Sequence, residues 1–350
     1  AYTTIDKPSD YFNTKLYTGN ASTQTISDVN FQPNLTWIKN RNGVRNHMLF
    51  DSVRGALYRL QSNTTAASAS TANTLTSWNS DGFALGSEND TNGTGATFAS
   101  WNWKAGTSFS NSAGANGATI ASTGSVNQDA GFSIVSYNSN GVAGATVGHG
   151  LGSTPKMIIV RRLNPGGDWY TYHASLGATK SLGLSETRAS ITSTTIWNDT
   201  EPTSSVFSLG TNGDVNSGVS SYDMIAYCFA EKQGYSKFGS YTGNGNADGT
   251  FVYTGFKPAM IIIKQTNEAR DWLIIDNKRL GYNVKNYDLH PNLTAAEDTR
   301  ERLDIVSNGF KMRDASNANN KSGGSYIYMA FAENPFVTST DNGSIPATAR

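Results

Sequence analysis

Four histidines, one cysteine and three Asn/Asp-rich stretches are the side chains of this 350-residue chain best suited to chemistry. His47, His149, His173 and His290 lack the i, i+4 helical spacing that would bring two imidazoles onto one metal ion. No Gly-x-Ser-x-Gly elbow, phosphate loop or dinucleotide fingerprint stands in a strand-to-helix context. A glycosidase-like carboxylate pair stays open, because such partners meet only in the fold. No catalytic residue is assigned. The oxygen-rich stretches Asn89-Asp-Thr-Asn92-Gly93, Asn212-Gly-Asp214-Val-Asn216 and Asn317-Ala-Asn319-Asn320 suit calcium, which takes carboxylate and amide oxygens. Asp90, Asn92, Asp214 and Asn216 are the candidate ligands, although Asn and Gly are also the ordinary residues of hairpin turns. Calcium is the one cofactor left open. Cys228 stands alone between Tyr227 and Phe229, so it gives neither a disulfide nor a metal framework and reads as a structural thiol. Sugars stack on exposed rings, and Trp197 in Ile196-Trp-Asn-Asp-Thr is the candidate glycan-binding ring.

What must position these residues is a repeat. The chain reads Pro33-Asn-Leu-Thr-Trp-Ile-Lys, Pro155-Lys-Met-Ile-Ile-Val-Arg and Pro258-Ala-Met-Ile-Ile-Ile-Lys. Each proline follows a tyrosine, Tyr17, Tyr137 or Tyr241, by 16 to 18 residues. Thirteen residues beyond it come Asn46-His47, Asp168-Trp169 and Asp271-Trp272. Then follow Gly82-Phe83-Ala-Leu85, Val206-Phe207-Ser-Leu209 and Gly309-Phe310-Lys-Met312, and each unit closes on an aromatic-rich strand. A period of this length is the mark of a repeat architecture. A function shared by all units should keep its chemistry at matched positions. Yet Asp51, His173 and Asp276 align, and Asp and His differ by more than about 2 pKa units. That position reads as a polar strand end, and no acidic residue recurs in all three units.

The pattern predicts an all-β chain of three tandem antiparallel β-sandwich domains, jelly-roll or lectin-like, of about 100 residues each. Met260-Ile-Ile-Ile263 suits a central strand buried on both faces, and Trp101, Trp103, Trp169 and Trp272 suit the core. Asn292–Asp298 has an N-cap-like start and predicts one helical turn. The expected boundaries are an N-terminal arm at 1–10, repeats at 11–105, 131–234 and 235–336, a Gly/Ser-rich linker at 106–130, with the composition of a flexible linker or a poorly packed hairpin, and a C-terminal tail at 337–350. Unit one should be the freer partner, with units two and three a rigid pair.

Lys+Arg 27 balance Asp+Glu 27, and charged residues make up only 15%, so a nucleic-acid partner is not expected. No run approaches the roughly 18 apolar residues of a membrane span, and no signal peptide is recognisable at Ala1. Action outside a cell would then follow release by lysis.

Ser236-Lys-Phe-Gly-Ser-Tyr-Thr-Gly-Asn-Gly, Thr254-Gly-Phe-Lys-Pro-Ala-Met, Asp276-Asn-Lys-Arg and Tyr328-Met-Ala-Phe-Ala-Glu-Asn-Pro-Phe resemble an uncharacterised repeat family encoded by marine bacteriophages. Val147-Gly-His-Gly-Leu-Gly, the opening Tyr-Thr-Thr-Ile-Asp and the ending Ile-Pro-Ala-Thr-Ala-Arg are similar to it too. The resemblance covers nearly the whole chain and carries no catalytic or binding residues across. It implies a non-enzymatic virion surface protein, a fibre or adhesin whose modules project outward and touch host-surface glycans. A capsid (head) decoration protein is the alternative, and a glycan-degrading enzyme the least favoured reading. The expected partners are other virion proteins and further copies of this chain, with no nucleic acid and no membrane insertion.

Overall fold

The computed structural model describes residues 3–219, 221–280, 282–284 and 287–335, so the expected C-terminal tail at 337–350 lies outside the described residues. The fold is all-β and built of several antiparallel sheets. The first third holds β1 (Phe12–Thr18), β2 (Gln24–Ile26), β3 (Leu35–Asn40), β4 (Met48–Asp51), β5 (Tyr58–Arg59), β6 (Ala69–Ser70), β7 (Leu75–Asn79), β8 (Gly82–Leu85) and β9 (Thr97–Trp103). A hairpin of β10 (Thr107–Asn111) and β11 (Ser122–Asn127) follows. The middle third holds β12 (Phe132–Asn138), β13 (Ala145–Gly148), β14 (Pro155–Arg162), β15 (Trp169–His173), β16 (Lys180–Gly183), β17 (Ile191–Thr192), β18 (Val206–Leu209) and β19 (Asp223–Ala230). The last holds β20 (Ser236–Thr242), β21 (Phe251–Tyr253), β22 (Phe256–Gln265), β23 (Leu273–Asp276), β24 (Leu303–Val306), β25 (Gly309–Met312) and β26 (Ser325–Pro335). Among the described residues, helix is limited to a 3-10 turn at Pro8–Asp10 and to α1 (Asn89–Asn92), α2 (Thr194–Trp197) and α3 (Gly213–Asn216).

One strand order occurs three times: β1-β9-β3-β4, β12-β19-β14-β15 and β20-β26-β22-β23. A smaller sheet accompanies each, namely β2-β8-β7, β13-β18 and β21-β25-β24. In the middle unit the large sheet grows to eight strands, with β10-β11 added beyond β12 and β16-β17 beyond β15.

The apolar runs explain the layering. Successive residues of a strand point to opposite faces, so an uninterrupted apolar run must be buried on both. Along β22, Met260 and Ile262 enter one core while Ile261 and Ile263 enter another. Met157 and Ile159 against Ile158 and Val160 do the same along β14. The second set of each strand faces its unit's own small sheet. The first set, with Leu35, Trp37, Trp101, Trp103, Ile225, Tyr227, Phe229, Ile327, Met329 and Phe331, forms a single core shared by all three units. At its centre the rings of Trp103, Phe229 and Phe331, one from each closing strand, form a triangle with centroid separations of 6.3, 5.7 and 6.0 Å. Unit one is therefore not the freer partner, because its closing-strand tryptophans sit in the common interior.

The 106–130 stretch is a hairpin and not a free linker. Its β10–β11 hairpin pairs onto β12, so residues 106–130 extend a sheet. The Phe109 ring lies over Gly124 and Gly150, where a Cβ would come 2.7 and 3.1 Å from the ring, and so stands in for the apolar side chains that these glycines lack. Arm residues Thr3–Asp10 dock against the body, with Thr3 and Pro335 both packed on Gly234. Asn292–Asp298 forms no helix. Asn292 Oδ1 accepts the Trp272 amide at 3.0 Å, and the carbonyl of Thr294 turns to unit one, so the chain is held extended.

Candidate functional site

The matched polar position is a fastener between units. Asp51 is fully buried and accepts Arg54 Nε at 2.6 Å, the amides of Val53 and Arg54, and Tyr227 Oη of unit two at 2.7 Å. Asp276 repeats this with Arg279 Nε at 2.6 Å and Trp101 Nε1 of unit one at 3.1 Å. Burial pushes the Asp276 carboxyl up, but the Arg279 guanidinium and the surrounding donors outweigh it and hold the group below the usual aspartate value. His173 fills the same position in unit two. Its Nδ1 accepts the Ser175 amide, so Nε2 carries the proton and donates to the Tyr328 carbonyl of unit three at 3.2 Å. Burial pulls this imidazole down to about 4. The links run one to two, two to three and three to one, and close a ring.

A second matched set escaped sequence reasoning. Lys39, Arg161 and Lys264, each six residues past its proline, are fully buried, and none has a carboxylate within 4.0 Å among the described residues. Lys39 Nζ donates to the carbonyls of Asn40 at 2.8 Å and Thr294 at 3.2 Å, and Lys264 Nζ to those of Gln265 at 2.8 Å and Thr187 at 3.1 Å. Arg161 Nη2 donates to the Ala66 carbonyl and stacks on Trp169 at 5.2 Å. Each cation thus reaches a loop of another unit. Desolvation lowers Lys39 and Lys264 to about 8 and Arg161 to about 10. The identical offset of the three cations was the available signal.

The calcium candidates are spread through a third repeated device. Asn92 Oδ1 accepts the Asn20 amide at 3.0 Å, and its Nδ2 donates to the carbonyls of Ser22 and Gly86. Asn216 Oδ1 accepts the Asn140 and Gly141 amides, and its Nδ2 donates to Val142 and Gly210. Asn320 does the same with the Asn244 amide and the carbonyls of Asn246 and Asp314. These asparagines pin the turn after each unit's first strand, and their oxygens already serve backbone amides. Asp214 pairs with Arg162 at 3.0 Å, and Asp90 lies 3.7 Å from Arg45.

Trp197 requires a correction. The segment read as an exposed loop is α2, capped by Ser193, and the ring is only 2% exposed and packs edge-to-face on Tyr172. It offers no face to a sugar. Outward-facing rings lie on β21 instead, where Phe251 and Tyr253 are 47% and 58% exposed. Two positions apart, they share the outer face of the small sheet of unit three. Phe251 stands opposite Lys311 and Tyr253 opposite Gly309. The neighbouring charges are paired, Lys311 with Asp248 and Arg313 with Asp304, so the face is aromatic and close to neutral. The alternation Phe-Val-Tyr was its signal.

One metal-sized grouping exists among the described residues, and it also lies in unit three. Asp288, His290 and Asp298 each place a ligand atom within 4.8 Å of the others. His290 and Asp298 line a recess of about 380 Å³ beside the loop that follows β23, and the fully buried Asp288 stands next to them. The spacing around His290 is not the helical i, i+4. Its partner stands at i−2 on an extended segment, which brings both side chains to one face.

No curated protein and no solved structure matches the chain. Residues 7–335 match the family described as Domain of unknown function (DUF7483), a span that takes in all three large sheets and their shared core. The chain belongs to that family.

Proposed function

We propose that this protein is a non-enzymatic bacteriophage virion surface protein of the fibre or adhesin type. Its three units are jelly-roll or lectin-like sandwiches fused into one rigid body, reaching the exterior when the host lyses and assembling with other virion proteins and further copies of itself. The carrying observation is that the side chains repeated at matched positions are consumed in holding units together: Asp51, His173 and Asp276 at one level, and Lys39, Arg161 and Lys264 at another. Repetition here supports rigidity, which a displayed module needs and turnover does not. The Phe251–Tyr253 face supports a contact with neutral host-surface glycans, because sugar C–H faces stack on rings and the paired charges alongside repel no uncharged ligand. Contacts of this kind are weak singly and add through effective concentration when copies are clustered.

The capsid-decoration reading uses the N-terminal arm as a grip. The packing of Thr3 on Gly234 and of Ile5 in the shared core favours the fibre reading, because that arm is engaged with its own body. Quantitative mass spectrometry of purified particles separates the two readings. A few to dozens of copies per particle are expected, hundreds would favour decoration, and absence from the particle would remove the virion assignment. On a glycan array, wild-type protein should bind neutral glycans and the Phe251→Ala/Tyr253→Ala double variant should fall to background. Uniform background for both would remove the glycan contact.

A further inference from the structure

We infer that Asp288, His290 and Asp298 form a binding site for a divalent metal of the zinc or manganese type. The backbone builds the site. Asp288 and Asp298 are direct partners in an antiparallel bridge, with Asp288 N donating to Asp298 O at 3.3 Å and Asp298 N to Asp288 O at 3.0 Å. Directly opposed residues share a face of the ladder, and His290, two positions on from Asp288, shares it too. Two carboxylates directly opposed repel unless a cation lies between or beside them.

Three features point to a metal beyond the clustering of acids. His290 Nδ1 lies 3.0 Å from the Trp272 carbonyl and donates to it, so Nε2 is the ring nitrogen that faces the carboxylates and is available to a metal. A carbonyl-anchored imidazole is the usual outer-shell arrangement of a metal-binding histidine. The His290 side chain is nine-tenths buried, and its Nε2 lies 3.9 Å from Asp288 Oδ2. Two metal–ligand bonds of about 2.1 Å span up to about 4.2 Å. Asp288 is fully buried, and its Oδ1 has no hydrogen-bond partner among the described residues. Such an orphaned acceptor is costly unless something binds it.

Of the four carboxylate oxygens, Asp288 Oδ1 is the one left without a partner among the described residues, and a cation would share the others with their present donors. Asp288 Oδ2 takes Arg302 at 2.7 and 2.8 Å, Asp298 Oδ2 takes Arg300, and Asp298 Oδ1 accepts the Thr299 amide at 2.7 Å. Three carboxylates, Asp288, Asp298 and Asp314, share two guanidiniums, Arg300 and Arg302. That group holds one more carboxylate than guanidinium. One imidazole with two carboxylates suits zinc or manganese better than calcium, which prefers oxygen throughout. The metal would staple the two arms of the excursion between β23 and β24. That excursion also forms the seam with unit one, through Arg41–Glu297 at 2.9 Å, Lys39 to the Thr294 carbonyl, and Ser62 to the Pro291 carbonyl.

The test is calorimetric titration of the untagged, metal-stripped full chain with zinc, manganese and calcium chlorides. Wild-type protein should take up one zinc or manganese ion per chain. His290→Ala and Asp298→Asn should each weaken binding at least tenfold, while their metal-free unfolding midpoints stay near that of wild type. If His290→Ala does not fold, His290→Gln, which keeps a donor for the Trp272 carbonyl, takes its place. Limited proteolysis between 287 and 302 should slow several-fold with metal in the wild type and not in the variants. Three results would each overturn the site: no stoichiometric uptake at millimolar metal, equal uptake by wild type and both variants, or calcium held as tightly as zinc.

Discussion

At the scale of single residues, the chain hides its ionisable groups and uses them as joints. His149 and His173 are both held neutral, with burial lowering each to about 4. The unfolded chain binds their protons near the ordinary value of about 6.5. A depressed folded value means that the unfolded state holds more protons between the two values, so stability is complete above pH 6.5 and falls as the pH drops toward 4. Each histidine contributes up to about 3 kcal/mol to that fall. Denaturant unfolding at pH 7.5, 6, 5 and 4.5 should show the decline, and His173→Gln should remove part of it. A flat profile over that range would contradict the burial of these rings. His47, also fully buried and lowered by the same desolvation, works in the same direction.

At the scale of elements, every unit depends on a short turn pinned by one asparagine. Asn320 is the clearest case, since its amide group satisfies three backbone groups from two loops. Asn320→Ala would leave those groups unpaired within a buried turn, and a cost of about 3 kcal/mol follows. The exposed neighbour Asn317 should tolerate alanine with little change, and the two unfolding midpoints give the comparison. Glycine is required beside the same turn, because a Cβ on Gly19 would lie 2.2 Å from the Gly93 carbonyl and one on Gly243 would lie 2.3 Å from that of Lys321. Much of this level was legible in the sequence. The apolar runs after Pro33, Pro155 and Pro258 gave the central strands, and Trp101, Trp103, Trp169 and Trp272 were rightly placed inside. What failed was whatever depended on partners distant in sequence. Trp197 sits among polar residues, and nothing local says that Tyr172 covers it. The 106–130 stretch has a linker's composition, but a neighbouring strand gave it a ladder to join. Asn319 holds the spacing that matches Asn92 and Asn216, yet a one-residue shift gives the clamp to Asn320. Lys39, Arg161 and Lys264 were in plain view, and their chemistry stayed hidden because the carbonyls they meet belong to other units.

At the scale of the whole molecule, three large sheets turn one face inward onto a common core, so no unit completes its burial alone. Truncating a ring of the central triangle should weaken all units together. Phe229→Ala should cost about 3–5 kcal/mol and leave a single unfolding transition at a lower temperature in calorimetry. Separate transitions would mean that the units hold independently. The polar joints reinforce the same closure, since unit three bonds back to unit one at the position where unit one bonds to unit two. Thr3 and Pro335 meet on Gly234, and Phe12 stacks on Phe331 at 5.0 Å. The order in which the polypeptide visits the three sheets is thus immaterial to their mutual support: bridging residues 3 and 335 with a short tether and opening the exposed bend at 112–117 would preserve every inward-facing neighbour while moving the chain ends to the tip of the β10–β11 hairpin.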